Sequence, residues 1–281
     1  MREIQASQIT AQLKALILQA SYNIGSDVEA AVAAYKEKEP SPSGRAVLEQ
    51  LLQNYAIARD EQVAICQDTG MCVIFLDVGQ EVHIAGGSLQ DALAEGVRQA
   101  YGEGYLRKSV VRDPLYDRTN TRDNTPPVVH TRIVPGDKID MLVTPKGFGS
   151  ENMSRTKMLV PADGEQGVID FVVNTVIEAG PNPCPPVIVG VGIGGTLEVA
   201  ALMAKRMTAR ALDEPNPDPR YAQLEQVILE KINRSGVGPA GIGGRTTALK
   251  VNIATYPTHI AGMPVAVNVC CHAARHAHAV L

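Results

Sequence analysis

Roughly the first sixty residues set the frame, because they carry helical periodicity and no strand pattern. Ile9, Leu13, Leu16, Ile17 and Ala20 recur at helical spacing. A second helix is expected over about Asp27 to Glu39. Pro40-Ser41-Pro42-Ser43-Gly44 then breaks the pattern, and a third helix carries Val47, Leu48, Leu51, Leu52, Tyr55 and Ile57 to about Asp60. Further on, strands are expected at Cys72–Val78, Lys138–Val143, Val187–Val189, Ala248–Ala254 and Val265–Val269. Helices are expected from Ser88, over Glu165–Ala179, around Leu197–Ala204 and over Tyr221–Ile232. Ser88 and Asp91 have the spacing of a capping box. Strands and helices do not alternate regularly enough for one parallel sheet. The expected class is α+β: mixed sheets surrounded by helices, with a helical N-terminal region, in a single domain over 1–281. With no Trp and only three Phe, the core must rest on Ala, Val, Ile and Leu.

Charge and patterning narrow the function. The net charge is -4, and no basic tract interleaves with aromatics, which disfavours a nucleic-acid partner. No apolar run approaches the ~20 residues a membrane span needs. No apolar stretch follows the charges of Met1-Arg2-Glu3, so a cytoplasmic location is expected. Cysteines stand at 66, 72, 184, 270 and 271. Their odd number and wide spacing argue against a disulfide framework and for a metal site or a nucleophile.

The cysteines differ in setting. Cys66 opens Cys66-Gln67-Asp68-Thr69-Gly70, which packs a soft metal ligand, a hydrogen-bonding head group and a proton carrier into one turn. Cys184 sits between prolines on rigid backbone. Cys271 begins Cys271-His272-Ala273-Ala274-Arg275-His276. Cys72 opens an apolar strand and reads as a small core residue. Cys270 and Cys271 are neighbours, so only one easily faces a shared centre. Three cysteines suit zinc with one histidine, or an iron–sulfur cube that keeps one iron free of protein sulfur. Wide separation favours the cluster, and a structural-zinc binding module is the alternative. His259 lies on a turn a dozen residues before Cys271. The irregular stretch from Tyr105 to Pro127 is rich in arginine, including Arg107, Arg112, Arg118 and Arg122, and suits an anionic ligand. Lys146-Gly147-Phe148-Gly149-Ser150 offers loop N–H groups to an oxyanion.

Gly190, Gly192 and Gly195 satisfy G-x-G-x-x-G ahead of a helix, with Asp213 downstream. An NAD-dependent oxidoreductase is therefore a further alternative. Its context is poor, because Asp213 opens a proline-rich loop instead of ending a strand.

Cys66-Gln67-Asp68-Thr69-Gly70, Leu106-Arg107-Lys108-Ser109, Lys146-Gly147-Phe148-Gly149-Ser150, Cys184-Pro185-Pro186 and His259 before Cys271 occur in that order. Together they resemble the N-terminal, α-subunit part of class I iron–sulfur fumarases and the related L(+)-tartrate dehydratases, over nearly the whole chain. The resemblance implies a [4Fe–4S] cluster held by Cys66, Cys184 and Cys271, whose fourth iron takes the substrate. It implies substrate contacts from Gln67, Arg107 and the loop glycines Gly147 and Gly149, and catalytic roles for Asp68 and His259. The implied reaction is reversible hydration of a small dicarboxylate. Fumarate to (S)-malate, a step of the tricarboxylic acid cycle, is expected first, with L(+)-tartrate dehydration as the alternative. Phe148 departs from the Gly-Gly-Gly-Ser that often follows the lysine in this family. Single-chain relatives continue past the point that corresponds to Leu281. The resemblance therefore implies a separate β subunit completing the site, in an α2β2 assembly, or an α homodimer when alone.

Overall fold

The computed structural model describes residues 1–281. In chain order the elements are β1 (Arg2–Gln5), α1 (Ala6–Tyr22), α2 (Ser26–Lys38), α3 (Pro42–Glu61), β2 (Met71–Gly79), β3 (Val82–Ala85), α4 (Leu89–Glu103), β4 (Val128–Val134) and β5 (Ile139–Lys146). There follow α5 (Phe148–Glu151), β6 (Arg155–Leu159), α6 (Gly164–Ala179), β7 (Val187–Gly194), α7 (Leu197–Met207), α8 (Pro219–Asn233), β8 (Ala248–Tyr256), β9 (Met263–Cys270) and β10 (Ala277–Val280). The mixture of helices with mixed sheets is the α+β class expected. The chain divides into two compact units. One is Met1–Ile24, Tyr55–Phe148 and Arg275–Leu281; the other is Gly25–Asn54 and Gly149–Ala274.

In the first unit a four-stranded sheet has the order β10-β5-β2-β4, and β1 pairs with β3 beside it. β2 runs parallel to β4 and antiparallel to β5. The helical spacing of Ile9, Leu13, Leu16 and Ile17 is real: all are fully or almost fully buried. They pack with Leu93, Val97 and Tyr101 of α4 and with Ile74, Leu76, Met141 and Val143 of the sheet. Ser88 caps α4, its Oγ accepting from the Asp91 N–H at 3.4 Å. The segment between α4 and β4 stays irregular apart from one bridge between Val111 and Asn120.

In the second unit the order is β6-β9-β7-β8, with β7 parallel to β8 and antiparallel to β9. β7 runs to Gly194, well past the expected end at Val189. Its glycines lie within the strand. Val187, Val189, Val191 and Ile193 face a core shared with α6 and α8. Alternation turns Gly190 and Gly192 to the other face, where α7 packs. A Cβ on Gly190 would stand 2.0 Å from the Ala204 carbonyl oxygen, and one on Gly192 2.1 Å from that of Ala200. Any side chain there would push the helix off the sheet. That packing accounts for Gly190 and Gly192 without a dinucleotide. β1, β3, β4, β6 and β10 are strands that the sequence pattern does not announce; they are short or carry exposed residues.

Candidate functional site

In the first unit the site is built round the turn at residues 66–70. Cys66 and Asp68 are half-buried, Gln67 is exposed, and Thr69 and Gly70 are buried. Asp68 makes an Asx turn: Oδ1 accepts from the Gly70 N–H at 3.1 Å. Oδ2 accepts from the Phe148 N–H at 2.8 Å. The glycine-punctuated loop thus does meet an oxyanion, but it is the chain's own carboxylate. Gly147 is buried beside it, and a Cβ there would lie 3.0 Å from Asp68 Oδ2. Phe148 contributes its backbone N–H, which any residue except proline supplies.

The carbonyl oxygens of the turn are held as well. Arg275 Nη2 donates to Asp68 O at 2.7 Å. Tyr101 Oη is within 3.0 Å of Thr69 O and 3.1 Å of Gly70 O. Asn124 Nδ2 donates to Gly70 O at 3.1 Å. All three side chains are buried. Burial pushes the Tyr101 phenol well above its ordinary range, so it stays a neutral donor. Thr69 Oγ1 donates to the Arg107 carbonyl oxygen at 2.9 Å, which fixes the backbone of Arg107 while its side chain stays exposed. A cavity of about 440 Å³ opens beside the turn, lined by Asp68, Met71, Ser109, Pro114, Arg118 and Phe148. It pairs a carboxylate with a guanidinium from the arginine-rich stretch.

Tyr101, Asn124 and Arg275 were not among the expected site residues. Tyr101 continues the stripe Leu89, Leu93, Val97 by one more turn, which placed it on the buried face. Arg275 lies four residues after Cys271, among alanines, a setting that leaves a charge little solvent. Asn124 carried no signal beyond its place in an irregular segment.

The second unit carries Cys184, His259, Cys271 and Gly149. Cys184 is exposed, on a turn whose N–H donates to Pro181 O at 3.0 Å, with φ +53°. That left-handed conformation is uncommon for a residue with a side chain and marks a constrained position. The loop at 236–244 braces it: the Ala240 N–H donates to Pro185 O at 2.8 Å. Behind that loop Glu39, 2% exposed, accepts from the Thr246 N–H and Oγ1 at 2.7 Å and from the Arg245 and Ser41 N–H groups. Burial alone would raise its carboxyl. The bonds from Thr246, Ser41 and Arg245 outweigh burial and hold it below the ordinary carboxylate range.

His259 is exposed on the turn between β8 and β9. Its Nδ1 accepts from the Ala261 N–H at 3.2 Å, so a neutral ring carries its proton on Nε2. Gly149 is exposed, and a Cβ there would make an ordinary contact, 3.5 Å from the Asn182 carbonyl oxygen. β9 ends at Cys270, which pairs with Ile188 and is buried, whereas Cys271 lies beyond the strand and is half-buried.

Accessibility sorts the five thiols. Cys72 and Cys270 are buried, and burial pushes the Cys72 thiol far above its ordinary range, keeping it protonated. Cys66, Cys184 and Cys271 are the ones that solvent or a ligand can reach. Soft, accessible sulfur donors fit an iron–sulfur cluster in their chemistry. Cys66 belongs to the first unit and the other two to the second. Neither unit by itself gathers three or more His, Cys, Asp or Glu side chains round a point that would hold a single metal ion.

A carboxylate held by two backbone N–H groups, beside an arginine-bearing cavity, has the chemistry to receive an anionic molecule and exchange a proton with it. The sequence comparisons define the class. The family model for fumarate hydratase (fumerase) matches residues 10–280. The chain therefore belongs to the fumarate hydratase family and is a hydro-lyase. A protein of Methanocaldococcus jannaschii, provisionally named L(+)-tartrate dehydratase subunit alpha, is 38% identical over 93% of this chain and 93% of its own. The L(+)-tartrate dehydratase subunit alpha of Escherichia coli K12 is 33% identical over 96% of this chain and 88% of its own. The protein of that name in Shigella boydii matches to the same extent.

Proposed function

We propose that the chain is the α subunit of a [4Fe–4S]-dependent hydro-lyase that removes water from a small hydroxylated dicarboxylate, L(+)-tartrate first. The expectation put fumarate first; the names of the relatives favour tartrate, and fumarate hydration remains the second reading because the family model bears that name. The reading rests above all on Asp68, whose carboxylate borders a cavity that also holds Arg118. Cys66, Cys184 and Cys271 are the ligands we assign, supported by their accessibility against the burial of Cys72 and Cys270. Residues 1–281, helical N-terminal region included, act as one hydro-lyase α-subunit domain of the iron–sulfur type.

When bound, the cluster supplies a Lewis-acidic iron that makes hydroxide a better leaving group. The chain's residues do the rest. Arg107 grips a substrate carboxylate with paired hydrogen bonds. Gln67 orients the substrate, and Gly147 and Gly149 keep the loop close to it. Asp68 and His259 carry the proton at the departing hydroxyl, with Nε2 the nitrogen that His259 offers. The base that takes the carbon-bound proton comes from a β subunit, in an α2β2 assembly. The relatives' name "subunit alpha" supports that partner. No helix is long and apolar enough to cross a membrane, which is compatible with the cytoplasmic location we assign.

The test is co-expression with the β chain and anaerobic purification, followed by assays on L(+)-tartrate and fumarate. We expect brown protein with about four irons per α chain and a higher kcat/KM on tartrate. Colourless protein with one zinc, tight NAD binding, or iron-loaded protein inert to both substrates would sink the reading.

A further inference from the structure

Arg275 is 2% exposed, and its Nε and Nη1 are buried without a hydrogen-bond partner. Only Nη2 is engaged, at 2.7 Å from the carbonyl oxygen of Asp68. A buried guanidinium with idle donors weakens a fold, and an apolar residue of similar volume in its place is often neutral or stabilising. Stability therefore does not account for this arginine. What it touches does. Asp68 is held at its carboxylate by the Gly70 and Phe148 N–H groups, and Arg275 holds the other end of the same residue. A Cβ on Gly147 would stand 3.0 Å from Asp68 Oδ2 and 3.6 Å from Arg275 Nη2. Guanidinium and carboxylate thus border one narrow gap.

We propose that Arg275 is a positioning residue that locks the peptide of Asp68, and with it the Cys66–Gly70 turn, so that the carboxylate keeps one orientation toward the cavity. The catalytic half of this proposal rests on Asp68 acting on the dicarboxylate as set out above; the structural half does not. The guanidinium suits the task because its planar fork directs the donor rigidly, where a lysine ammonium swings. Freed of it, the turn keeps the Tyr101 and Asn124 bonds to Thr69 and Gly70 but loses its only side-chain hold on the Asp68 carbonyl. The loosening should therefore concentrate at Cys66, Gln67 and Asp68.

The experiment compares wild type, Arg275→Met and Arg275→Lys as whole chains without cluster at one fixed pH. Iodoacetamide labelling is followed peptide by peptide, with exposed Cys184 as the internal reference, beside the melting temperature. We expect Arg275→Met to melt no lower than wild type while Cys66 labels at least about threefold faster relative to Cys184. Arg275→Lys, which keeps one donor in reach, should fall between the two. Unchanged Cys66 labelling in folded Arg275→Met overturns the proposal. So does failure of Arg275→Met to fold, or acceleration of buried Cys72 and Cys270 together with Cys66, since each means a structural role. In the α–β holoenzyme Arg275→Met should lower kcat about tenfold or more with KM nearly unchanged; a raised KM at constant kcat overturns it. Wild-type holoenzyme without hydro-lyase activity would remove the functional reading and leave the labelling result to decide the positioning.

Discussion

The Nδ2 of Asn124 donates to the carbonyl oxygen of Gly70 at 3.1 Å, across 54 residues of sequence. The Oδ1 of the same side chain accepts from the Ser109 and Val110 N–H groups at 2.8 and 3.3 Å. One buried carboxamide thus ties the Asp68 turn to the segment just after Arg107. Asn124→Ala should cost about 3 kcal/mol, on the basis of ~1–3 kcal/mol for each buried group left without a partner. Urea unfolding measures it, and a loss below about 0.5 kcal/mol would mean that water or a shifted backbone replaces the bond.

The depressed carboxyl of Glu39 has a definite pH signature. Its folded value lies below its unfolded value of about 4.3. The stabilisation is therefore complete above that unfolded value and is lost as pH falls from there through the lower folded value. Glu39→Gln should lower the melting temperature at pH 7, and the two proteins should converge as the pH approaches 3. A gap that stays constant from pH 7 to 3 would rule out the ionised carboxylate as its source.

Glu225 accepts from Arg210 Nη2 at 2.8 Å, Asn216 Nδ2 at 2.8 Å and the Ile253 N–H at 2.7 Å, and its side chain is almost wholly buried. Removing one member of a buried pair leaves the other charge uncompensated. Glu225→Ala should cost about 3–5 kcal/mol. Arg210→Met/Glu225→Leu should recover much of it, and a double variant as unstable as Glu225→Ala would contradict this account.

Gly192→Ala puts a methyl group 2.1 Å from the Ala200 carbonyl oxygen. We expect a loss of about 1–3 kcal/mol or more from overpacking, readable by thermal unfolding. Isothermal titration of wild type with NAD should give no heat of binding. Tight NAD binding abolished by Gly192→Ala would return the glycines to a nucleotide role.

Cys66→Ser should lose iron, whereas Asp68→Asn should retain it and lose turnover by about 10²–10⁴-fold. Iron content and kcat, measured on the same preparations, separate the two. Wild-type activity in both variants would reduce the loop to an ordinary turn.

Much of the helical content was legible because the apolar stripes of α1, α4, α6 and α8 face cores and keep a strict period. The site turn was legible because its chemistry is local: Cys66, Gln67 and Asp68 are adjacent. What was not legible is what reaches it from afar. Arg275 is 207 residues from Asp68 and Phe148 is 80, and no periodicity encodes such a meeting. The strand expected at Val187–Val189 stopped short of Gly190–Gly194 for a related reason. Glycine is a poor strand former in isolation, and only the close passage of α7 reveals why it is needed.

The first unit's sheet carries a consequence for biosynthesis. Its edge strand β10 pairs with β5, and Leu281 and Ile139 exchange backbone hydrogen bonds at 2.8 and 3.0 Å. The two strands are separated in sequence by the whole of Gly149–Ala274. As the polypeptide leaves the ribosome, β5 emerges long before the strand that covers it. Its open edge must wait through the translation of Gly149–Ala274, a long-range closure that is slow to form. In that interval β5 is an unpaired edge exposed to neighbouring nascent chains. The aggregation risk of this protein should therefore peak during synthesis and end when Ala277–Val280 docks.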